Sequence, residues 1–222
     1  MVKSLEFIDE SIFNYLGKDD YAVFISQTGV CDGIRLNDGV VWVQIDENNQ
    51  ITAVVATSKL GRTLVFASEN ADKEELQFIT NKNNNIEIDK KYLLRKIVEN
   101  NKNEKGIDKS DYWRVKQLNP TDKDKHEELV GFKILLNSMG KCEGTLISIN
   151  NEDVSGGFIT FSQKISLITD VYTNEVYRGQ GYGKAIVEKL LKLSTNENVY
   201  LVSKKHNLKF YENCGFEIVK EI

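Results

Sequence analysis

The sequence predicts an α+β fold in which a mixed sheet is flanked by helices. Three observations predict it. Short runs rich in β-branched and aromatic residues alternate with polar, turn-rich connectors. Segments with apolar residues at helical spacing lie between these runs. The same order of segments occurs in both halves of the chain, whose 222 residues are enough for one large domain or two small ones.

The first half is predicted to begin with a helix, because apolar residues recur at helical spacing from Leu5 to Leu16 and Gly17 ends the pattern. A buried strand is predicted at residues 21–25. Three strands of a meander follow, at residues 40–45, 51–56 and 63–67. A helix over residues 72–80 and a strand and helix over residues 86–100 complete this half.

The second half repeats the order, which suggests an internal duplication. We predict a strand at residues 112–118, a helix at 125–139, and meander strands at 144–149, 156–161 and 165–171. The alternative is that hairpins recur in any α+β domain. Between the halves, residues 100–106 form a polar run that is typical of a linker. The predicted domains are therefore residues 1–106 and residues 107–222.

A glycine-rich turn follows the last predicted meander strand. It reads Arg178-Gly179-Gln180-Gly181-Tyr182-Gly183-Lys184 and opens an amphipathic helix. Such a turn points several backbone N–H groups at one spot, where the helix dipole also favours negative charge. Glycine has no side chain to keep a phosphate from these donors. The turn therefore predicts a pyrophosphate site, although glycines also end strands and open helices for structural reasons alone.

A second motif follows an apolar strand at residues 199–202 and includes Asn207, Tyr211, Gly215 and Phe216. In this order and at this separation, the two segments resemble the GNAT superfamily of acyl-CoA-dependent N-acetyltransferases. The first matches that family's pyrophosphate-binding motif, Arg/Gln-x-x-Gly-x-Gly/Ala, and the second matches its late segment, which ends in Gly-Phe. The resemblance implies the acyl-CoA N-acyltransferase (GNAT) fold, with two GNAT-like halves in tandem and the first of them degenerate.

The resemblance also implies how acetyl-CoA would bind. In the family, the strand before the glycine turn splays from its neighbour and pairs with the pantetheine arm. The N–H of Val171 would donate to the acetyl carbonyl and stabilise the charge of the intermediate. Many family members have a proline where this chain has Asn174. This difference affects the expected rigidity of the turn and not its ability to bind the ligand. The implied cofactor-binding residues are Val171, Tyr172, Thr173, Arg178, Gly179, Gln180, Gly181, Tyr182, Gly183, Lys184 and Asn207.

Tyr211 stands at the family position for the group that protonates the departing thiolate. A phenol with a pKa near ~10 can do so at modest cost. The alternative role for Tyr211 is that of a core aromatic. The general base is not located by a motif: Asp170 and Glu175 flank the reaction strand, but each is also explained as an ordinary solvated carboxylate. His206 lies beside two lysines, where a histidine is more often on the surface.

The implied function is an acyltransferase activity that moves an acetyl group from acetyl-CoA to a primary amine. The acceptor, a small molecule or a peptide amine, is not indicated by the sequence. A rival function is an acyl-CoA-binding or sensing module without turnover, which would not need Tyr211. A P-loop nucleotide-binding protein is disfavoured because no Gly-Lys-Ser/Thr ends the turn. The first half has the acidic, glycine-free stretch 68–75 at the equivalent place, so we expect one cofactor per chain.

Composition excludes several other classes of protein. The formal net charge of −4 is spread along the chain, so no polycation is present for nucleic acid or an anionic membrane. No apolar run reaches membrane-spanning length, and the first residues lack the apolar core of a signal peptide. Three scattered cysteines and two histidines fit no metal spacing. We therefore expect a cytoplasmic protein without a metal, a nucleic-acid partner or a membrane anchor; the sequence does not indicate its oligomeric state.

Overall fold

Two β-sheets organise the chain in the computed structural model, which describes residues 2–5, 40–48, 51–57, 63–67, 70–76, 91–99, 105–119, 126–162 and 164–221. The sheets belong to two compact units, Met1–Asp89 and Lys90–Ile222. The strand predicted at residues 21–25 and nearly all of the helix predicted from Leu5 to Leu16 lie outside the described residues.

The first unit contains a four-stranded antiparallel sheet in the order β1-β2-β3-β4. Its strands are β1 (Val2–Leu5), β2 (Val40–Ile45), β3 (Ile51–Thr57) and β4 (Thr63–Ala67). The last three are the predicted meander, which is confirmed. Leu5 ends a strand instead of opening a helix, because the first residues of the chain pair with β2 and cover its edge.

The second unit contains a six-stranded sheet in the order β10-β5-β9-β8-β7-β6. Its strands are β5 (Lys91–Ile97), β6 (Cys142–Ile149), β7 (Glu152–Phe161), β8 (Ser166–Thr173), β9 (Asn198–Lys204) and β10 (Glu217–Glu221). Its described helices are α1 (Tyr112–Gln117), α2 (His126–Ser138), α3 (Tyr182–Leu193) and α4 (Leu208–Asn213). The pair β8–β9 is parallel, whereas the other neighbouring strands run antiparallel. The predicted fold class, an α+β fold with helices around a mixed sheet, is confirmed.

Strand β5 lies inside the sheet of the second unit, antiparallel to β10 on one side and to β9 on the other. Its Leu93 and Leu94 are fully buried. Residues 91–97 precede the linker predicted at residues 100–106, and the boundary between the two compact units lies between residues 89 and 90. An interior strand forms backbone hydrogen bonds with the strands on both sides of it. The partners of β5 lie more than 100 residues further along the chain, so a local linker pattern does not reveal this pairing.

Helix α1 occupies residues for which we predicted a strand, at 112–118, and that prediction is wrong. Tyr112, Val115 and Lys116 are buried, at the i, i+3, i+4 spacing of one helix face. A short 3-10 turn leads into the helix, and the carboxylate of Asp108 accepts a hydrogen bond from the N–H of Ser110 at 3.0 Å. This cap starts a helical turn just before residues whose β-branched and aromatic side chains indicated a strand.

Helix α3 packs on the sheet through one apolar face, on which Ile186, Val187 and Leu190 are fully buried. The packing is close at Gly157 of β7, where an added Cβ would lie 3.0 Å from Leu190 Cδ1 and 3.2 Å from Val171 Cγ2. The missing side chain at Gly157 therefore lets α3 approach β7 and β8. None of the helices in the described part of the chain is long and apolar enough to cross a membrane.

Candidate active site

Strands β8 and β9 are paired at one end and separate toward the other. Parallel pairing joins Ser166 to Val199 and Leu167 to Tyr200, and the register goes no further, although β8 continues to Thr173. On this side, the second half of β8 has no ladder partner in β9. An extended ligand can bind to such an edge as an additional strand would.

A β-bulge interrupts β8 just after the strands separate. Gly157 of β7 stands opposite two residues of β8, Asp170 and Val171. Asp170 has a φ of 55°, in the left-handed region, which costs a residue other than glycine on the order of 1 kcal/mol. Val171 has no ladder partner in either neighbouring strand, both of which the structure describes. The bulge therefore takes Val171 out of the regular ladder at the place where β8 separates from β9.

Two buried lysines bind Asp170, and no sequence motif indicated either of them. Lys116 in α1 places its Nζ 2.6 Å from Oδ1 of Asp170, and Lys133 in α2 places its Nζ 3.8 Å from Oδ2. Lys133 also donates a hydrogen bond to Oγ1 of Thr169 at 2.9 Å. The two lysines are 4% and 7% exposed. Asp170, one of the two carboxylates considered as a general base, is therefore held in ion pairs.

The glycine turn leaves open space in front of α3. Gly179 and Gly181 have φ values of 78° and 90°, a conformation that favours glycine. Gly181 caps α3 without a side-chain hydrogen bond, so no capping side chain occupies the first N–H groups of the helix. A Cβ added at either glycine would have no heavy atom of the described chain within 4 Å. The N-terminus of α3 thus has the geometry of a phosphate site.

Polar contacts tie this turn to β8. Nε of Arg178 donates to the carbonyl oxygen of Thr173 at 3.2 Å, and the guanidinium lies 5.5 Å from the centroid of the Tyr172 ring. Oδ1 of Asn174 accepts a hydrogen bond from the N–H of Val176 at 3.4 Å and caps a short 3-10 turn. Asn174 therefore contributes order to the turn at the place where many GNAT proteins have a proline.

The other predicted residues of the turn face solvent or are half-buried. Nε2 of Gln180 donates to the carbonyl of Val176 at 3.2 Å. The ring of Tyr182 lies edge-on to Tyr177, with 6.2 Å between centroids. Lys184 is exposed, and its ion pair with Glu188, at 3.9 Å, is of the weak surface kind. These contacts leave the Lys184 ammonium accessible from solvent.

Gly183 brings the segments of the site together. A Cβ at this position would lie 3.1 Å from Oγ1 of Thr173 in β8 and 3.4 Å from the ring of Phe210 in α4. Oγ1 of Thr173 is itself 2.8 Å from Oγ of Ser155. The end of the splayed strand, the start of α3 and the helix α4 are therefore in contact, and the two sequence motifs lie together in the fold.

Tyr211 lies on α4 with its ring partly buried. It packs edge-on against Phe210 and Phe216, with centroid distances of 4.9 and 6.0 Å. Its hydroxyl has no hydrogen-bond partner among the residues that the structure describes. Burial raises the pKa of Tyr211 to about 12, so the phenol carries its proton at neutral pH. This packing is compatible with both roles considered for Tyr211, proton donor and core aromatic.

The other ionisable or polar groups of these segments are exposed, apart from the buried Cys214. Glu175 pairs with Arg178 at 3.4 Å on the surface of the turn. His206 and Asn207 are exposed just before α4. Cys214 is buried, and burial raises the pKa of its thiol, which disfavours the reactive thiolate. Within the described ranges, no group of three or more His, Cys, Asp or Glu side chains is placed to hold a metal ion.

In the acidic turn of the first unit, backbone N–H groups donate to side chains of the same unit. Oδ1 of Asp72 accepts hydrogen bonds from the N–H groups of Glu74 and Glu75, at 3.0 and 3.1 Å. The N–H of Asp72 donates to Oε1 of the buried Gln44 at 2.9 Å. These N–H groups are occupied and carboxylates surround them, so residues 70–76 offer no cradle like that of α3.

A groove of about 550 Å³ lies at the other end of α3. Lys192 and Leu193, in the last turn of the helix, line it together with Glu143 and Phe161. Helix α3 has 12 residues, so the groove is roughly 18 Å from the glycine turn. It is therefore separate from the site formed by β8, α3 and α4.

Comparisons with known proteins agree with this geometry. Residues 141–218, less than half of the chain, match the family model described as "Acetyltransferase (GNAT) domain". A GNAT-family acetyltransferase from Colwellia psychrerythraea matches with a TM-score of 0.58 at 10% identity, over 100% of this chain and 97% of that one. A GCN5-related N-acetyltransferase from Sphaerobacter thermophilus matches with a TM-score of 0.58 at 9% identity, over 99% and 93%. At these identities the likeness establishes the fold, and the predicted GNAT fold is confirmed.

Proposed function

We propose that the second unit is an N-acetyltransferase that moves an acetyl group from acetyl-CoA to a primary amine. The observation that carries this proposal is the splayed and bulged strand β8, whose end lies against the glycine turn of α3. The strand offers an unpaired backbone edge, and the helix offers N–H groups and a positive dipole end. A thiol arm joined to a pyrophosphate matches both features in one molecule.

Different residues of the site would bind different parts of this ligand. The backbone of residues 171–173 would pair with the pantetheine arm. The pyrophosphate would lie in the open space before α3, where it would accept hydrogen bonds from the N–H groups of residues 179–184 and attract the cations of Arg178 and Lys184. Asn207, exposed at the start of α4, would approach the same ligand. The glycines fit such a ligand, because a side chain at Gly181 would fill the phosphate's place.

The chemistry requires a polarised carbonyl and a proton for the leaving thiolate; acetyl-CoA supplies an activated thioester. The amine nitrogen bonds to the acetyl carbon while the carbon–sulfur bond breaks. The N–H of Val171 would donate to the carbonyl oxygen as negative charge develops there. Tyr211 would give its phenolic proton to the sulfur and would regain a proton from water, which takes up the one that the amine releases. Burial raises the pKa of Tyr211 to about 12, so the phenol holds its proton until the thiolate leaves.

The amine must also lose a proton, and the two carboxylates beside the reaction strand are engaged. Asp170 is bound by Lys116 at 2.6 Å, and Glu175 pairs with Arg178 at 3.4 Å. In our proposal this proton leaves through water, and neither carboxylate removes it directly. A small-molecule or peptide amine satisfies this chemistry equally, so the acceptor is defined here by its primary amino group.

The first unit has a supporting role in this proposal and binds no cofactor. The donors of its acidic turn are already occupied by Asp72 and Gln44. We retain the hypothesis that it is a degenerate GNAT-like half, with residues 107–222 holding the whole of the predicted site.

Release of free thiol from acetyl-CoA, measured with a panel of primary amines, tests the function. We expect release that depends on both acetyl-CoA and one class of amine, together with a mass increase of one acetyl group on that amine. Acetyl-CoA binding without thiol release for any amine would favour the rival function, an acyl-CoA-binding or sensing module. No binding of CoA or acetyl-CoA would reject both functions.

A further inference from the structure

Asp170 receives positive charge from two different helices. Lys116 reaches Oδ1 from α1, and Lys133 faces Oδ2 from α2. Lys133 also bonds the side chain of Thr169, the residue just before the bulge. One carboxylate and two ammonium groups are thus packed on the bulged part of β8, and both lysines are more than nine-tenths buried. Burying charges is costly unless they are paired, so such a cluster needs a function or a strong structural reason.

The residue that the lysines bind is also the residue with the unusual backbone. Asp170 has a φ of 55°, and Val171, which follows it, has no ladder partner in the described strands. On the opposite side, Val171 Cγ2 lies against Gly157, where a Cβ would be 3.2 Å away. The Asp170 carboxylate is therefore fixed by α1 and α2 while the Val171 side chain is fixed by β7. Between them lies the Asp170–Val171 peptide, at the bulge where the ladder with β7 is interrupted.

We propose that Lys116 and Lys133 are positioning residues for the acetyl group: by binding Asp170 they hold the left-handed bulge that keeps the Val171 N–H available to the thioester carbonyl. This inference rests on the proposed function. It assigns Asp170 to the geometry of the acetyl site and not to removal of a proton from the amine. The lysines act through the backbone of β8 and do not touch the ligand.

Binding measurements on the full chain test this without knowledge of the acceptor. CoA and acetyl-CoA differ in the acetyl group alone, so the ratio of their Kd values, CoA over acetyl-CoA, reports the hydrogen bond from Val171. One such bond changes affinity by roughly 2- to 10-fold. We expect Lys116→Met to lower this ratio by about that factor while the Kd for CoA stays within about twofold. Lys133→Met should act in the same direction but less, because its Nζ is 3.8 Å from the carboxylate.

A variant without these charges distinguishes two ways in which the lysines could affect the acetyl group: through the backbone of β8 or by direct electrostatic attraction. In Lys116→Met/Lys133→Met/Asp170→Gly no charge is buried at the bulge, and glycine adopts a positive φ without strain. We expect this triple variant to recover the wild-type ratio. Lys189→Met, the same change on the exposed face of α3, is the matched control and should leave the ratio unchanged.

Two results overturn the inference. One is an unchanged ratio in both single variants with CoA binding intact. The other is a ratio that stays low in the triple variant with CoA binding intact, since the lysine charge would then act directly. If Lys116→Met does not fold, Lys133→Met and the triple variant give the same decision. Failure of the wild-type chain to bind either ligand is a distinct result, which rejects the proposed function itself.

Discussion

The phenol of Tyr211 has packing that suits either a proton donor or a core aromatic, and removal of one oxygen atom distinguishes these roles. Tyr211→Phe keeps the ring contacts with Phe210 and Phe216. We expect kcat to fall about 100-fold, as is usual for loss of a general acid, with the Kd for acetyl-CoA within about twofold. The O–H acts only as the thiolate leaves, so its loss affects the transition state and not ligand binding. Steady-state thiol release and calorimetry measure the two quantities.

Tyr92→Phe is the control for this variant, because Tyr92 packs against the same core and lies outside the site. It should leave kcat unchanged. A kcat for Tyr211→Phe within twofold of wild type would show that Tyr211 is a core aromatic, and an effect confined to the Kd would show that it is a binding residue.

The raised pKa of Tyr211 also predicts how stability depends on pH. Its pKa is about 12 in the folded chain and near ~10 when unfolded. Because the folded pKa is the higher one, the protonated phenol of Tyr211 contributes to the free energy of unfolding. This contribution is fully present below pH ~10 and is lost as the pH rises to about 12. Thermal melts from pH 9 to 11.5 should therefore show a smaller loss of Tm for Tyr211→Phe than for wild type. Equal losses would mean that the phenol ionises as readily in the folded chain as in the unfolded one.

The sequence indicated the glycine turn and Tyr211 but not Lys116 or Lys133. Glycines in a turn and an aromatic at a motif position are local signals, readable without a fold. The partner of Lys116 is 54 residues away and that of Lys133, Thr169, is 36 residues away. One sequence feature could have indicated these lysines: each lies on the buried face of a helix, where a lysine is unusual. For Lys116 this feature can be recognised only when α1 is known to be a helix.

At the scale of elements, the glycine turn and α3 form the proposed phosphate site, and Gly181 tests it. Gly181→Val places a branched side chain at a φ of 90°, in the space that we assign to the pyrophosphate. We expect the variant to lose binding of CoA, at least 100-fold in Kd, because two or more phosphate hydrogen bonds are lost. Calorimetry with CoA measures this.

Gly140 offers a matched control for the strain. It also has a positive φ, 69°, and an added Cβ there would again have no described heavy atom within 4 Å. Gly140→Val should therefore lose a similar amount of stability, on the order of 1 to 2 kcal/mol, and keep CoA binding. Intact CoA binding in a folded Gly181→Val chain would show that the pyrophosphate lies elsewhere.

Elements with a clear period were predictable, and those that depend on context were not. The meander strands were found because alternation and turn residues act locally. Helix α1 was predicted as a strand because its six residues are too few for a helical period to exceed the β-propensity of Tyr112, Trp113 and Val115. Separation of β8 from β9 was an expectation from the GNAT resemblance, since spacing alone does not show where a ladder stops.

At the scale of the whole molecule, β5 makes the six-stranded sheet depend on residues before the predicted linker. A chain that begins at Asp108 lacks β5, which leaves β9 and β10 without their common neighbour and removes the buried Leu93 and Leu94. We expect this chain to be poorly folded. A chain that begins at Lys90 keeps all six strands, so it should fold better and retain CoA binding.

Circular dichroism, thermal melts and CoA titration of the two truncated chains measure these outcomes. A well-folded chain beginning at Asp108 that binds CoA with wild-type affinity would contradict the structural role of β5.

The central claim is that one acyl-CoA site, formed by β8, α3 and α4, serves the whole chain. Calorimetric titration of the full chain with acetyl-CoA tests it most directly, because the stoichiometry counts the sites. We predict one acetyl-CoA per chain, since the donors of the first unit's acidic turn are occupied by Asp72 and Gln44. Two sites per chain would contradict the assignment of a cofactor-free first unit, and no binding at all would contradict the account of the site.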